Sequence, residues 1–489
     1  MFITISGYNL CQIVTRGNPL NLFNLCSICF DIYITKKSKI IHLFVCFFHF
    51  RCSKNALSLR CKKLIYTIMK KSFLYFICCV SAMGGLLFGY DWVVIGGAKP
   101  FYELYFDIQA SPMLQGLAMS IALVGCLIGA MVAGALADRF GRKQLLIIAA
   151  TLFLTSAVGT GLFSDFTLFN IARLWGGIGI GVASALSPMY IAEVSPKEIR
   201  GKLVSINQMA IVLGILGAQI CNFLLAEESV QVHIDSWNAQ MGWRWMFWAE
   251  AVPAGMFLAL AFFIPESPVY LRLKSENISE HSDEVGLKEL FGNVRYRGIL
   301  ILGIVIAVFQ QWCGTNVIFN YAEEIFKGAG YDVNGMFINI VVTGIANVIF
   351  TIVAMATVER LGRRTLMLIG SFGLGVIYLI LGTCYFAECT GIGMVCLVVA
   401  AISCYAMTLG PITWVLLAEI FPNRVRGIAM ATCTFALWVG SCTLTFCFPP
   451  MNAALGTYGS FWIYSAICFA GFTFFWKRCP ETKGTALSE

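Results

Sequence analysis

Three ionisable side chains, Asp91, Arg173 and Glu250, stand inside long stretches of apolar residues. A charge in such surroundings is costly unless it is paired, so a chain that keeps one there usually uses it. An aspartate that alternates between a salt bridge to an arginine and a protonated, neutral form is a proton switch. Desolvation favours the neutral form, the guanidinium favours the charged one, and protonation breaks the pair. Asp91 and Arg173 suit that chemistry, with Glu250 as a further acid in the same kind of segment. A permanently ionised structural pair is the alternative reading of the same residues.

A second set of charges is repeated. Asp138-Arg-Phe-Gly-Arg-Lys143 recurs as Glu359-Arg-Leu-Gly-Arg-Arg364 at an offset of 221 residues, and Glu193-Val-Ser-Pro-Lys-Glu-Ile-Arg-Gly201 recurs as Glu419-Ile-Phe-Pro-Asn-Arg-Val-Arg-Gly427 at 226. Two related halves, with matched motifs on one side of a membrane, are what a rocking carrier needs. Asp138, Arg139, Arg142, Glu193 and Arg200 in the first half, with Glu359, Arg360, Arg363, Arg364, Glu419 and Arg426 in the second, can pair across helix boundaries when that face is shut and part when it opens. The general preference for basic cytoplasmic loops explains the arginines but not the repeated Glu-x6-Arg spacing.

The elements that must position these residues follow from composition. Of 489 residues 58% are hydrophobic and 12% charged, with a mean hydropathy of +0.79, against roughly 45–50% and 25% in soluble domains. That excludes a soluble cytosolic enzyme. Hydropathy predicts twelve helices, at about 73–97, 113–137, 144–164, 166–194, 202–226, 243–265, 298–320, 335–358, 365–386, 393–420, 427–448 and 457–477, because helices satisfy their own backbone in lipid. Basic residues fall in alternate loops and acids in the others, which places both termini in the cytoplasm. Residues 1–68 are different in kind: nine Lys/Arg, one acid, six cysteines and no apolar stretch long enough to span. They read as an extension upstream of a natural start at Met69. The remaining chain carries 25 basic and 25 acidic residues, so the net +8 implies no nucleic-acid partner. The cysteines sit mostly in apolar runs and read as small buried hydrophobes rather than metal ligands.

The motifs from residue 73 onward resemble those of the sugar porters of the major facilitator superfamily. The resemblance is carried by Gly84-Gly-Leu-Leu-Phe-Gly-Tyr-Asp91, both Arg-rich repeats, Pro188-Met-Tyr-Ile-Ala-Glu193, Pro265-Glu-Ser-Pro268, Gln310-Gln-Trp-Cys-Gly-Thr-Asn316, Gly410-Pro-Ile-Thr-Trp414 and Pro480-Glu-Thr-Lys-Gly484. It is strongest to the bacterial xylose/proton symporters of that family, along Gly176 to Gly201 and Trp414 to Gly427. It implies an all-α integral membrane protein of the major facilitator fold, with twelve transmembrane helices in two pseudo-symmetric six-helix bundles. The expected division is an extension at 1–68, a bundle at 69–265, a short cytoplasmic linker at 266–297, a second bundle at 298–477 and a tail at 478–489.

A sugar offers hydroxyls that donate and accept and apolar C–H faces, so its site wants amides and aromatic plates. Gln208, Gln310, Gln311 and Asn316 are the amides, and Phe88, Trp414 and Trp438 the rings, at positions that the resemblance assigns to sugar contact. Gly410 lets ligand and backbone approach closely. Proton-coupled members carry an Asp at the position of Asp91 and an Arg at that of Arg173, which supports coupling. Departures from the xylose symporters are Ile215 and Leu437 for glutamines, Asn320 for a tyrosine, and the bulky Trp92 after Asp91. The linker is short, and Val269 replaces the arginine of the Pro-Glu-Ser-Pro motif. The expected function is proton-coupled import of a monosaccharide, a pentose such as xylose or arabinose or a hexose such as glucose or galactose, across the cell (inner) membrane. A facilitative uniporter or a non-transporting sugar receptor are the alternatives. The expected partners are sugar, protons and membrane lipids, for a monomer without cofactor, metal or enzymatic activity. Asn277-Ile-Ser279 is a glycosylation pattern in a loop placed in the cytoplasm, and Gly177, Gly179 and Gly181 read as helix-packing residues rather than a nucleotide loop.

Overall fold

The computed structural model describes residues 71–196, 199–227, 233–275, 290, 292–422 and 425–482. The expectations for residues 1–68, for Asn277 and most of the linker, and for the end of the tail lie outside these residues. No strand occurs among them. The first half holds α1 (Lys71–Tyr105), α2 (Pro112–Phe140), α3 (Arg142–Leu162), α4 (Phe166–Val194), α5 (Arg200–Leu225) and α6 (Trp243–Ala261), followed by the short α7 (Pro268–Ser275). The second holds α8 (Val294–Trp312), α9 (Thr315–Asn320), α10 (Ala322–Gly328), α11 (Val333–Leu361), α12 (Arg363–Phe386), α13 (Ile392–Met407), α14 (Leu409–Ile420) and α15 (Arg426–Arg478).

Ten helical runs among the described residues are long and apolar enough to cross a membrane. One of them lies in α15, whose 53 residues would reach about 80 Å at 1.5 Å per residue, far beyond a hydrocarbon core of about 30 Å. Gly456, at φ 70 and ψ 170, breaks it into two crossings. α6 is not among the ten, since its 19 residues include Arg244, Glu250 and three tryptophans. With these two adjustments the described residues hold twelve crossings, six in each half.

Two expected helices are interrupted. The 298–320 segment stops at Trp312 and restarts at Thr315 through Gly314, whose φ of +90 suits glycine. The 393–420 segment breaks at Thr408, one residue before the Leu409-Gly410-Pro411 start of α14, because proline has no N–H to donate to a continuing helix. Broken helices expose backbone and amide groups at membrane depth, which is tolerated where they line a cavity.

Small residues bring the helices together. An added Cβ at Gly89 or Gly214 would meet the Ile211 or Leu86 carbonyl at 1.9 or 2.0 Å, so α1 and α5 touch backbone to backbone. Gly177 and Gly181 do the same for α4 against α2, meeting the Ala122 and Cys126 carbonyls at 2.0 and 2.2 Å. Gly179 faces α3 at Leu152. Without a hydrophobic driving force between helices in lipid, this close approach is a main source of cohesion. The helix starts on the acid-rich face are capped: Ser111 accepts from Leu114 N–H, Asp165 from Leu168 N–H and Asp332 from Gly335 N–H.

Candidate functional site

Asp91 on α1 and Arg173 on α4 meet in the interior of the first half. Each is 2% exposed. Arg173 Nη1 donates to Asp91 Oδ1, Nη2 lies 3.4 Å from the Asp91 carbonyl, and the guanidinium stacks over Phe247 at 5.3 Å. Asp91 Oδ2 and Arg173 Nε have no hydrogen-bond partner. Glu250 on α6, also 2% exposed, feels both charges. Glu250 is thus a second buried acid in the same half as the Asp91–Arg173 pair.

Beside the pair is a void of about 10 Å³, borderline for a single water. Trp92, Met119, Ile180 and Asn320 line it together with Asp91 and Arg173. It therefore touches both halves, through α1, α2 and α4 on one side and α9 on the other. Asn320 Oδ1 is buried without a partner.

The broken helix supplies a chain of amides. Asn316 Nδ2 donates to Gln311 Oε1, Gln311 Nε2 to Gln310 Oε1 at 2.5 Å, and Gln310 Nε2 to the Tyr405 hydroxyl at 2.6 Å. All three amides are buried. Such a chain orients each group by its neighbour and leaves donors and acceptors that a polyhydroxylated ligand can exchange with. Three rings close the centre: Phe88 and Trp92 lie 5.5 Å apart, and Trp438 lies 5.8 and 5.9 Å from them. Trp438 Nε1 is buried without a partner.

The remaining expected residues are less enclosed. Gln208 on α5 and Gly410 at the start of α14 are half-buried, and Trp414 is 37% exposed. Tyr405 and Trp92 belong with the amides and rings and were not among the expected site residues. Tyr405 has no sequence signal, since only the fold brings it to Gln310, whereas Trp92 was conspicuous by its bulk.

The Arg-rich repeats form two matching clusters. Arg142 pairs with Glu193 at 3.2 Å and Asp138 at 2.9 Å, donates to the Ala137 carbonyl and stacks over Tyr270. Arg363 pairs with Glu419 at 3.0 Å, and Arg364 donates to the Trp476 carbonyl. These pairs join helices of the same half. Arg139 stacks on Phe140, and Arg200 is exposed. The side chains of Glu359, Arg360 and Arg426 lie outside the described residues.

Two acids of these clusters were missed. Glu266 accepts from the Arg142 and Lys143 N–H groups at 2.9 and 3.1 Å, and Glu481 accepts from those of Arg363 and Arg364 at 2.9 and 3.2 Å. Each caps the start of α3 or α12, where four backbone donors lack helical partners and the dipole favours an anion. Beside them Ser267 donates to Glu193, and Thr482 to Glu419 at 2.5 Å. The signal was present: Pro265-Glu-Ser and Pro480-Glu-Thr are a third repeat, at an offset of 215.

Comparison with known proteins agrees with this architecture. The family model "Sugar (and other) transporter" matches residues 77–285 and 275–489. The chain is 36% identical to the D-xylose-proton symporter of Escherichia coli strain K12, over 86% of this chain and 96% of that one. It is 34% identical to the arabinose-proton symporter of Bacillus subtilis, over 85% and 94%. It is 35% identical to the glucose transport protein of a Synechocystis strain, over 85% and 97%. Among solved structures, the inward-open conformation of the E. coli xylose transporter matches with a TM-score of 0.73 at 34% identity, covering 85% of this chain and 98% of that one. A crystal structure of a D-xylose-proton symporter matches with a TM-score of 0.74 at 36% identity, covering 84% and 99%.

Proposed function

Because the chain belongs to the sugar transporter family of the major facilitator superfamily, we propose that it imports a monosaccharide together with protons across the cell (inner) membrane by alternating access. The sugar is a pentose such as xylose or arabinose, or a hexose such as glucose or galactose. Both termini and the Arg-rich loops face the cytoplasm, and the protein works as a monomer among membrane lipids. The observation that carries this reading is the buried Asp91–Arg173 pair, set against a void that also touches the second half.

The sugar sits among Gln310, Gln311, Asn316 and Asn320, with Phe88, Trp92 and Trp438 against its C–H faces and Gln208, Gly410 and Trp414 at the edge of the site. Its hydroxyls satisfy the free Asn320 and Trp438 polar atoms and trade with the amide chain. A proton on Asp91 releases Arg173 and lowers the charge that must move with α1. Glu250 sets how readily that proton is held. The gain is large: about 2.3 kcal/mol per charge per 100 mV, at 1.4 kcal/mol per tenfold, is about forty-fold accumulation.

The test is uptake of labelled pentoses and hexoses into vesicles with an imposed inward proton gradient, by wild type and Asp91→Asn. Wild type concentrates one sugar, and the variant only equilibrates it. If both merely equilibrate it, the protein is a uniporter and Asp91 is structural. If neither moves or exchanges any sugar while wild type still binds one, the protein is a receptor.

A further inference from the structure

At the end of the bundle opposite the Arg-rich loops, Lys99 lies in the interior, 2% exposed, against three carboxylates. Its Nζ is 3.4 Å from Glu103 on its own helix, and 2.5 and 3.7 Å from Glu324 and Glu323 on α10 of the other half. It also lies over the Tyr321 ring at 5.6 Å. Asn452, at the bend of α15, donates to the second Glu324 oxygen at 2.9 Å, and Gln115 on α2 donates to Glu103 at 3.3 Å. Glu103, whose side chain is 7% exposed, has no hydrogen-bond donor at Oε1 beyond the Lys99 ammonium at 3.4 Å. The cation near the end of α1, Arg244, donates to the Gly161 and Phe163 carbonyls and to Ser164. It is therefore occupied elsewhere.

Electrostatics and topology then point the same way. One ammonium faces three carboxylates, of which Glu103 and Glu323 are 7% and 11% exposed and Glu324 22%, and a buried carboxylate in excess of its counter-charges takes a proton rather than stay ionised. The cluster also joins the halves, together with the approach of Gly116 to the Phe446 carbonyl and of Gly96 to that of Asn320, at 2.5 and 2.9 Å for an added Cβ. Opening this end must pull Glu323, Glu324 and Asn452 away from Lys99 and let water reach the cluster.

We propose that Lys99, Glu103, Glu323 and Glu324 form a proton-binding latch on the face opposite the Arg-rich loops, separate from Asp91, which takes up a proton when that face shuts and gives it back when it opens. The closed state binds one proton more than the open state. Acidity therefore favours closure, by up to tenfold per pH unit.

The test uses the full chain in lipid nanodiscs, with spin labels carried on an unnatural amino acid at Gln109 and Glu388, exposed positions at this end of the two halves. Double electron–electron resonance reads the closed-to-open ratio from pH 5 to 8. In Asp91→Asn the ratio still rises toward tenfold per unit as pH falls; adding Glu103→Gln or, if that variant does not insert, Glu323→Gln flattens the dependence. Lys99→Met makes the closed form scarcer than in Asp91→Asn at pH 8. A flat profile in Asp91→Asn alone, or an unchanged slope after removal of a latch carboxylate, overturns the proposal.

Discussion

At the scale of single residues, the polar groups differ in what their loss would do. Gln311 both donates to Gln310 and accepts from Asn316, so Gln311→Ala removes two links and leaves buried amides unpaired. At about 1–3 kcal/mol for an orphaned group, sugar affinity should fall at least tenfold, read as a raised KM in uptake or a weaker Kd by calorimetry. Glu481 does different work. Glu481→Ala uncaps α12 and should cost about 0.5–2 kcal/mol, seen as a lower Tm, while sugar affinity in the folded fraction stays within twofold. Glu266→Ala should behave alike on α3, because it makes the same pair of contacts.

Elements carry the next level. The break between α8 and α9 sets where Asn316 stands relative to Gln311, and it depends on Gly314. A Cβ there would stand 2.9 Å from Tyr464 Cγ, on a backbone at φ +90. Gly314→Ala should therefore cost about 1–3 kcal/mol, with transport lost before folding. Gly298→Ala on α8, where a Cβ meets nothing within 4 Å, is the matched control and should leave uptake unchanged. Equal losses in the two variants would show that the break has no special role.

For the molecule as a whole, the matched clusters raise the question of whether they act within a half or between halves. Arg142 and Arg363 share no partner among the described pairs, and each ties its own turn to its own glutamate. A double-mutant cycle with Arg142→Ala and Arg363→Ala should thus be additive in thermal stability to within about 0.5 kcal/mol. A coupling well above that would mean one latch shared by both halves.

The sequence by itself determined the membrane class, the twelve crossings and the two related halves, because lipid demands long apolar helices and duplicated motifs survive as text. It also pointed to Asp91, Arg173 and Glu250, since charges are conspicuous in apolar runs. Only the tertiary structure decided that Tyr405 ends the amide chain, that Trp92 shares the ring cluster with Phe88 and Trp438, and that the Pro-Glu repeats cap the Arg-rich turns. Lys99 shows the limit most clearly. Its carboxylate partners come from its own helix and from a segment 225 residues away, and its place near a helix end looks like an ordinary solvated charge. Spacing along one helix is fixed by its 3.6-residue period, but contact between helices depends on packing across hundreds of residues, which no local pattern encodes.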